Sequence, residues 1–150
     1  MSRPRDSQRS KVYEAEENFH WLLLSNQLER CILNIHSLRA WVDGITSSDW
    51  WRQRYPGVHS VEVKDGRRRR RACGWREGTR GTISLPRRSR QQSSILHELA
   101  HVVINNTVAA HGPMFVQHYL ALVDMWIGEL EGAALRWFLA KNRVKWEEPA

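Results

Sequence analysis

Ile95-Leu-His-Glu-Leu-Ala-His-Val-Val-Ile104 is the stretch around which the rest of the chain must be arranged. Its apolar residues recur at three- and four-residue steps, which predicts a helix over 95–104. At about 100° per residue, His101 lies about 40° and Glu98 about 100° around the helix axis from His97. All three therefore project from one side. Ile95, Leu96, Leu99, Ala100 and Val103 cover the other side with hydrocarbon and turn it toward a core. Two imidazoles one turn apart can converge on a single cation, and a carboxylate beside them can reach a water held there. His97 and His101 are thus candidate metal ligands, and Glu98 is a candidate general base.

Two histidines do not complete a catalytic zinc site, which takes three protein ligands and keeps one position open. His111 follows a spacer of nine residues, long enough for the chain to leave the helix, reverse and return to the ion. Gly112-Pro113 then launch the next helix, proline being suited to its first position. Asp124 and Glu129 are the other side chains eligible for the third place.

Toward the N-terminus, Val12, Ala15, Phe19, Leu22 and Leu23 predict a helix over 7–24. Residues 30–35 fit a helix or a strand equally well. Ser37 is a candidate N-cap for a short helix carrying Leu38, Trp41, Val42 and Ile45, and another helical turn holds Trp50 and Trp51. Residues 59–64 alternate in the manner of a strand. Asp65-Gly66 is a hairpin signal, so residues 67–75 are predicted to return beside it. Thr82-Ile-Ser-Leu85 alternates again, either as an ordinary core strand or as one that pairs with an extended substrate. Ser93 and Ser94 can cap the metal helix. A helix from Pro113 through Ile127 and a last one over 130–141 follow, and both chain ends read as frayed.

These elements predict one domain of 150 residues: a helical part over 7–55, a sheet over 58–86, metal-site helices over 94–128 and a C-terminal helix over 130–142. The expected class is α+β, with a small, mostly antiparallel sheet packed on the helix bearing His97 and His101 and helices flanking it at both ends. An apolar content of 41% and eight Trp exclude a disordered chain. Cys31 and Cys73, with no CxxC spacing, exclude a disulfide framework and a cysteine-ligated zinc site. The longest apolar run near the start, Trp21-Leu-Leu-Leu24, is too short for a secretion signal or a membrane span. No membrane partner is expected.

Three stretches carry a family resemblance: residues 1–16, Ile95-Leu-His-Glu-Leu-Ala-His101 and His111-Gly-Pro-Met-Phe115. Together they resemble a family of small metallohydrolases from actinobacteria and their phages. The His-Glu-x-x-His and His-Gly-Pro-x-Phe elements are also similar to those of SprT-like zinc metalloproteases, some of which act on proteins crosslinked to DNA. The resemblance implies a zincin-like fold, one Zn2+ held by His97, His101 and His111, Glu98 as catalytic base, and a protein or peptide substrate. It also implies a bacterial cytoplasmic setting, or a host cell if the protein is phage-encoded. The spacer before His111 is shorter than in many SprT-like proteins, and no cysteine-rich zinc ribbon follows.

Net charge is +7, which attracts polyanions. Much of it lies in Arg67, Arg68, Arg69, Arg70 and Arg71, followed by Arg76, Arg80, Arg87, Arg88 and Arg90, with only Glu77 opposing them. On a strand, alternate arginines would face opposite ways. The run is either a phosphate-contacting surface, making nucleic acid a second candidate partner, or a solvated edge strand. Aromatics that stack on bases are few nearby, Trp75 among them. His118 and Tyr119 are candidates for proton handling and oxyanion contact as well as for simple packing; His20, His36 and His59 read as structural. The leading expectation is a zinc metallopeptidase acting on proteins, including those bound to nucleic acid. The alternatives are a nucleic-acid- or host-protein-binding module with a structural or vestigial zinc, and hydrolysis of a non-peptide bond.

Overall fold

The computed structural model describes residues 3–150. In chain order the elements are α1 (Arg9–Ser25), α2 (Ile35–Thr46), α3 (Asp49–Arg54), β1 (Ser60–Asp65), β2 (Cys73–Glu77), β3 (Arg80–Leu85), a 3-10 turn (Arg87–Ser89), α4 (Gln92–Val103), α5 (Pro113–Trp126) and α6 (Glu129–Lys141). The class is α+β, as expected. Among the described residues no helix is long and apolar enough to cross a membrane. Two compact units are distinguished by their contacts, Met1–Arg30 with Ile104–Ala150, and Cys31–Val103.

In the unit Cys31–Val103 the sheet order is β1-β3-β2. Here the structure corrects three expectations. First, the sheet is mixed rather than mostly antiparallel, because β1 runs parallel to β3 while β2 runs antiparallel to it. Second, Asp65-Gly66 does not make a hairpin. A type I′ turn needs left-handed φ at both central residues, yet among the described glycines only Gly78 lies in that region, at +59°. Gly66 serves close approach instead: a Cβ there would stand 2.7 Å from the backbone nitrogen of Pro86. The hairpin is β2–β3, turning at Gly78-Thr79. Third, residues 67–71 are not a strand. They lie in the loop that carries the chain from the end of β1, past the end of β3, to the start of β2, and all five arginines are exposed.

The central place of β3 also settles the two readings of residues 82–85. Both edges of that strand are already paired, so it is a core strand and offers no ladder to a substrate. Ile83 and Leu85 are fully buried. Helix α4 packs across β2 and β3, and α2 packs against β1. Glycine permits the first contact: a Cβ on Gly74 would strike the carbonyl oxygen of Glu98, and would lie 3.1 Å from its carbonyl carbon.

Helix starts differ in detail from the expectations. The N-cap of α2 is Asn34, whose side chain accepts from the amides of His36 and Ser37, so Ser37 already lies inside the helix. Ser48 caps α3. Helix α4 begins at Gln92, so Ser93 and Ser94 also lie inside their helix. Residues 30–35 are mostly irregular, with Cys31 making a single antiparallel bridge to Gln91.

Arg90, counted among the basic residues in sequence, is a buried structural tie. Its guanidinium donates to the Leu85 carbonyl at 3.0 Å, the Leu33 carbonyl at 2.6 Å and Asp65 Oδ1 at 2.9 Å. Asp65 also accepts from Arg67 Nε at 2.8 Å. Desolvation alone would raise the Asp65 carboxyl, but the hydrogen bond and charge of Arg67, with the charge of Arg90, hold it below its usual value.

In the unit of Met1–Arg30 and Ile104–Ala150, α6 packs against both α1 and α5. Phe19, Leu23, Val116, Leu120, Leu135 and Leu139 are fully buried. Pro113 opens α5 as predicted. Frayed ends were the expectation, and the structure ties both down instead. Arg3 Nε donates to the Val108 carbonyl at 3.0 Å, while Gln8 Nε2 donates to the Lys145 carbonyl at 3.1 Å. Side-chain-to-backbone bonds across such sequence distances leave no local trace, which is why pattern reading misses them. A polar cluster sits in this unit as well. The Tyr119 hydroxyl donates to Glu16 Oε2 at 3.3 Å, and the His20 ring lies 3.8 Å from Glu16 and 3.6 Å from Glu29. Burial opposes charge on His20, but bonds to Glu16 and Glu29 outweigh it and push its pKa up to about 9. Tyr119 is fully buried and its hydroxyl faces a carboxylate.

Candidate metal centre

Helix α4 presents His97, Glu98 and His101 as its 3.6-residue period requires. The Nε2 atoms of His97 and His101 face each other at 3.1 Å, with ring centroids 4.8 Å apart and an interplanar angle of 66°. Two imidazoles bound tetrahedrally to one zinc would have their nitrogens about 3.3 Å apart, from Zn–N lengths of about 2.0–2.1 Å. The observed approach fits that spacing. His97 and Glu98 are each 6% exposed, and His101 is half-buried.

His111 lies just ahead of α5 and is 4% exposed. Its Nδ1 is 2.7 Å from Asp6 Oδ2, and an N–H to carboxylate bond there makes Nε2 the nitrogen that can ligate. The edge of Tyr13 at 4.9 Å and of Phe115 at 5.0 Å hold the ring, and Gln8 Nε2 donates to the His111 backbone carbonyl at 3.1 Å. His97, His101 and His111 each offer a ring nitrogen, and these atoms lie within 4.8 Å of one another. The donor set is therefore chemically fit for one divalent transition metal: three imidazoles, one of them anchored by a carboxylate.

The other candidates for the third place are not part of the histidine cluster. Asp124 accepts from both terminal nitrogens of Arg136, at 2.8 Å each. Glu129 is the first residue of α6 rather than an interior helical residue. His118 is half-buried on α5 and is not part of the histidine cluster.

Asp6 and Gln8 were not legible as site residues. Asp6 precedes its contact by 105 positions and sits in a polar stretch with no metal-ligand spacing. Asp6→Ala should weaken zinc affinity by about 10–100-fold, the usual consequence of removing a carboxylate behind a ligating histidine. Competition with a chromophoric chelator measures it, and Asp6→Asn should recover part of the loss if orientation of the ring is what Asp6 supplies. Wild-type affinity in Asp6→Ala would show that His111 is held well enough by Tyr13, Phe115 and Gln8.

No protein-family model matches the chain, and no curated protein or solved structure is significantly similar to it. The function must therefore be argued from the site itself.

Proposed function

We propose that this protein is a zinc-dependent hydrolase of the zincin type, acting on peptide bonds. The observation that carries the reading is the meeting of His97, His101 and His111, with the carboxylate-bearing Glu98 adjacent on the same helix. A bound Zn2+ would lower the pKa of a coordinated water to about 7 and polarise the scissile carbonyl. His97, His101 and His111 would hold the ion, and Asp6 would keep His111 in its ligating tautomer. Glu98 takes a proton from the attacking water and returns it to the leaving nitrogen.

The test uses full-length protein freed of metal and reloaded. Uptake of one zinc per chain, cleavage of an unfolded protein such as casein, loss of cleavage on chelation and its return with zinc are the expected results. Protein that takes up no transition metal, or cleavage indifferent to chelation, would end the proposal. A second reading, a nucleic-acid- or protein-binding module with a structural zinc, draws on the exposed arginines of the β1–β2 loop. It predicts zinc binding without hydrolysis of any substrate tried. Under the leading reading, proteins associated with nucleic acid are the favoured substrates.

A further inference from the structure

The sheet of the unit Cys31–Val103 has one face covered and one open. Gly74 and Gly81 point at α4, where added Cβ atoms would meet Glu98 and Val102. Strand alternation therefore turns Trp75 to the opposite face. Trp75 is half-buried there and lines a concavity of about 520 Å³ with Lys64, Glu62, Thr82, Glu77 and Arg80. Two cations attend its indole: the Lys64 ammonium at 6.0 Å from the ring centroid and the Arg69 guanidinium at 5.8 Å. Arg68, Arg70 and Arg71, all exposed, lie on the same loop as Arg69. Because these residues are in a loop, the alternation that would divide arginines between two faces of a strand does not constrain them.

We propose that this open sheet face binds single-stranded nucleic acid, with a base stacked on Trp75 and the adjoining phosphates held by Lys64 and the arginines of the β1–β2 loop. An aromatic ring on a sheet face, with two cations over it, suits an unpaired base that takes a cation's place on the ring while the cation turns to a phosphate; a duplex keeps that flat surface inside its stack. Opposite charge selects the partner, since Arg67, Arg68, Arg69, Arg70 and Arg71 are five exposed cations in succession with no acidic residue among them. Glu62 and Glu77 repel phosphates from the rest of the concavity, so the backbone is confined to the Lys64 and Arg69 end. There a base reaches Trp75. The proposal uses none of the residues of the metal centre and does not depend on any hydrolytic activity.

Fluorescence anisotropy of the full chain with labelled oligothymidylate, oligouridylate and a matching DNA duplex tests it. Single strands of either sugar should bind more tightly than the duplex. Trp75→Ala should weaken single-strand binding by about tenfold with little change in the salt dependence, and Trp75→Phe should restore most of it. Arg68→Ser with Arg70→Ser should lower the slope of log affinity against log salt by about 1.4, at about 0.7 per phosphate contact. Unchanged thermal melting of each variant separates lost contacts from lost folding. Duplex bound as tightly as single strand, Trp75→Ala binding like wild type, or polyglutamate competing as well as oligothymidylate would each overturn the proposal; the last would assign the loop to an acidic protein.

Discussion

Glu98→Gln should lower hydrolysis by about 10²–10⁴-fold, the range that a positioned general base contributes, while leaving zinc uptake intact. The amide has the shape of the carboxylate it replaces, so the packing around this residue, 6% exposed on α4, is conserved. What disappears is the capacity to accept a proton. His97→Ala makes the necessary contrast, because it removes a ligand and should lose metal and turnover together. Atomic absorption on the purified variants and a peptidase assay under zinc-saturating conditions give the two readouts. Full turnover in Glu98→Gln would remove Glu98 from the chemistry. Loss of zinc in Glu98→Gln would instead make Glu98 a structural support of the site.

Gly74→Ala is the substitution expected to damage the fold most for its size. A single methyl at residue 74 collides with the backbone of Glu98, whose Cα would be 3.3 Å away, and a backbone cannot rotate aside as a side chain can. Strand β2 and helix α4 must separate for the methyl to fit. Overpacking of this kind costs about 1–3 kcal/mol, and it displaces the helix that presents His97 and His101. A fall of several degrees in melting temperature, about 2–4 °C per kcal/mol for a chain of this length, should accompany weaker zinc binding. Gly44→Ala is the control: nothing lies within 4 Å of a Cβ there, and the site is inside α2. It should stabilise by about 0.5–1 kcal/mol, as alanine does in a helix interior. Wild-type melting and zinc affinity in Gly74→Ala would show that β2 and α4 are not held by this contact.

Some of the centre was legible before any coordinates. Helical spacing alone places His97, His101 and Glu98 on one side of one helix, and the structure presents them so. The bounds of α5 and α6 were likewise written locally, by Pro113 and by apolar periodicity. Strand pairing was not. Asp65-Gly66 carries a hairpin signature, yet Gly66 packs against the end of β3 and the chain arches over that strand to begin β2. The same arch converts five arginines from a strand into an exposed loop.

By itself, then, the sequence determined which side chains share a helix face and where most helices lie, because both follow from a repeat of a few residues. Tertiary structure alone decided that β3 is central, that Arg90 is an internal tie, and that Asp6 stands behind His111 across 105 positions. Those outcomes depend on which distant segments meet. No periodicity within a segment records its partner, since the energy that selects the pairing is released only when both have arrived.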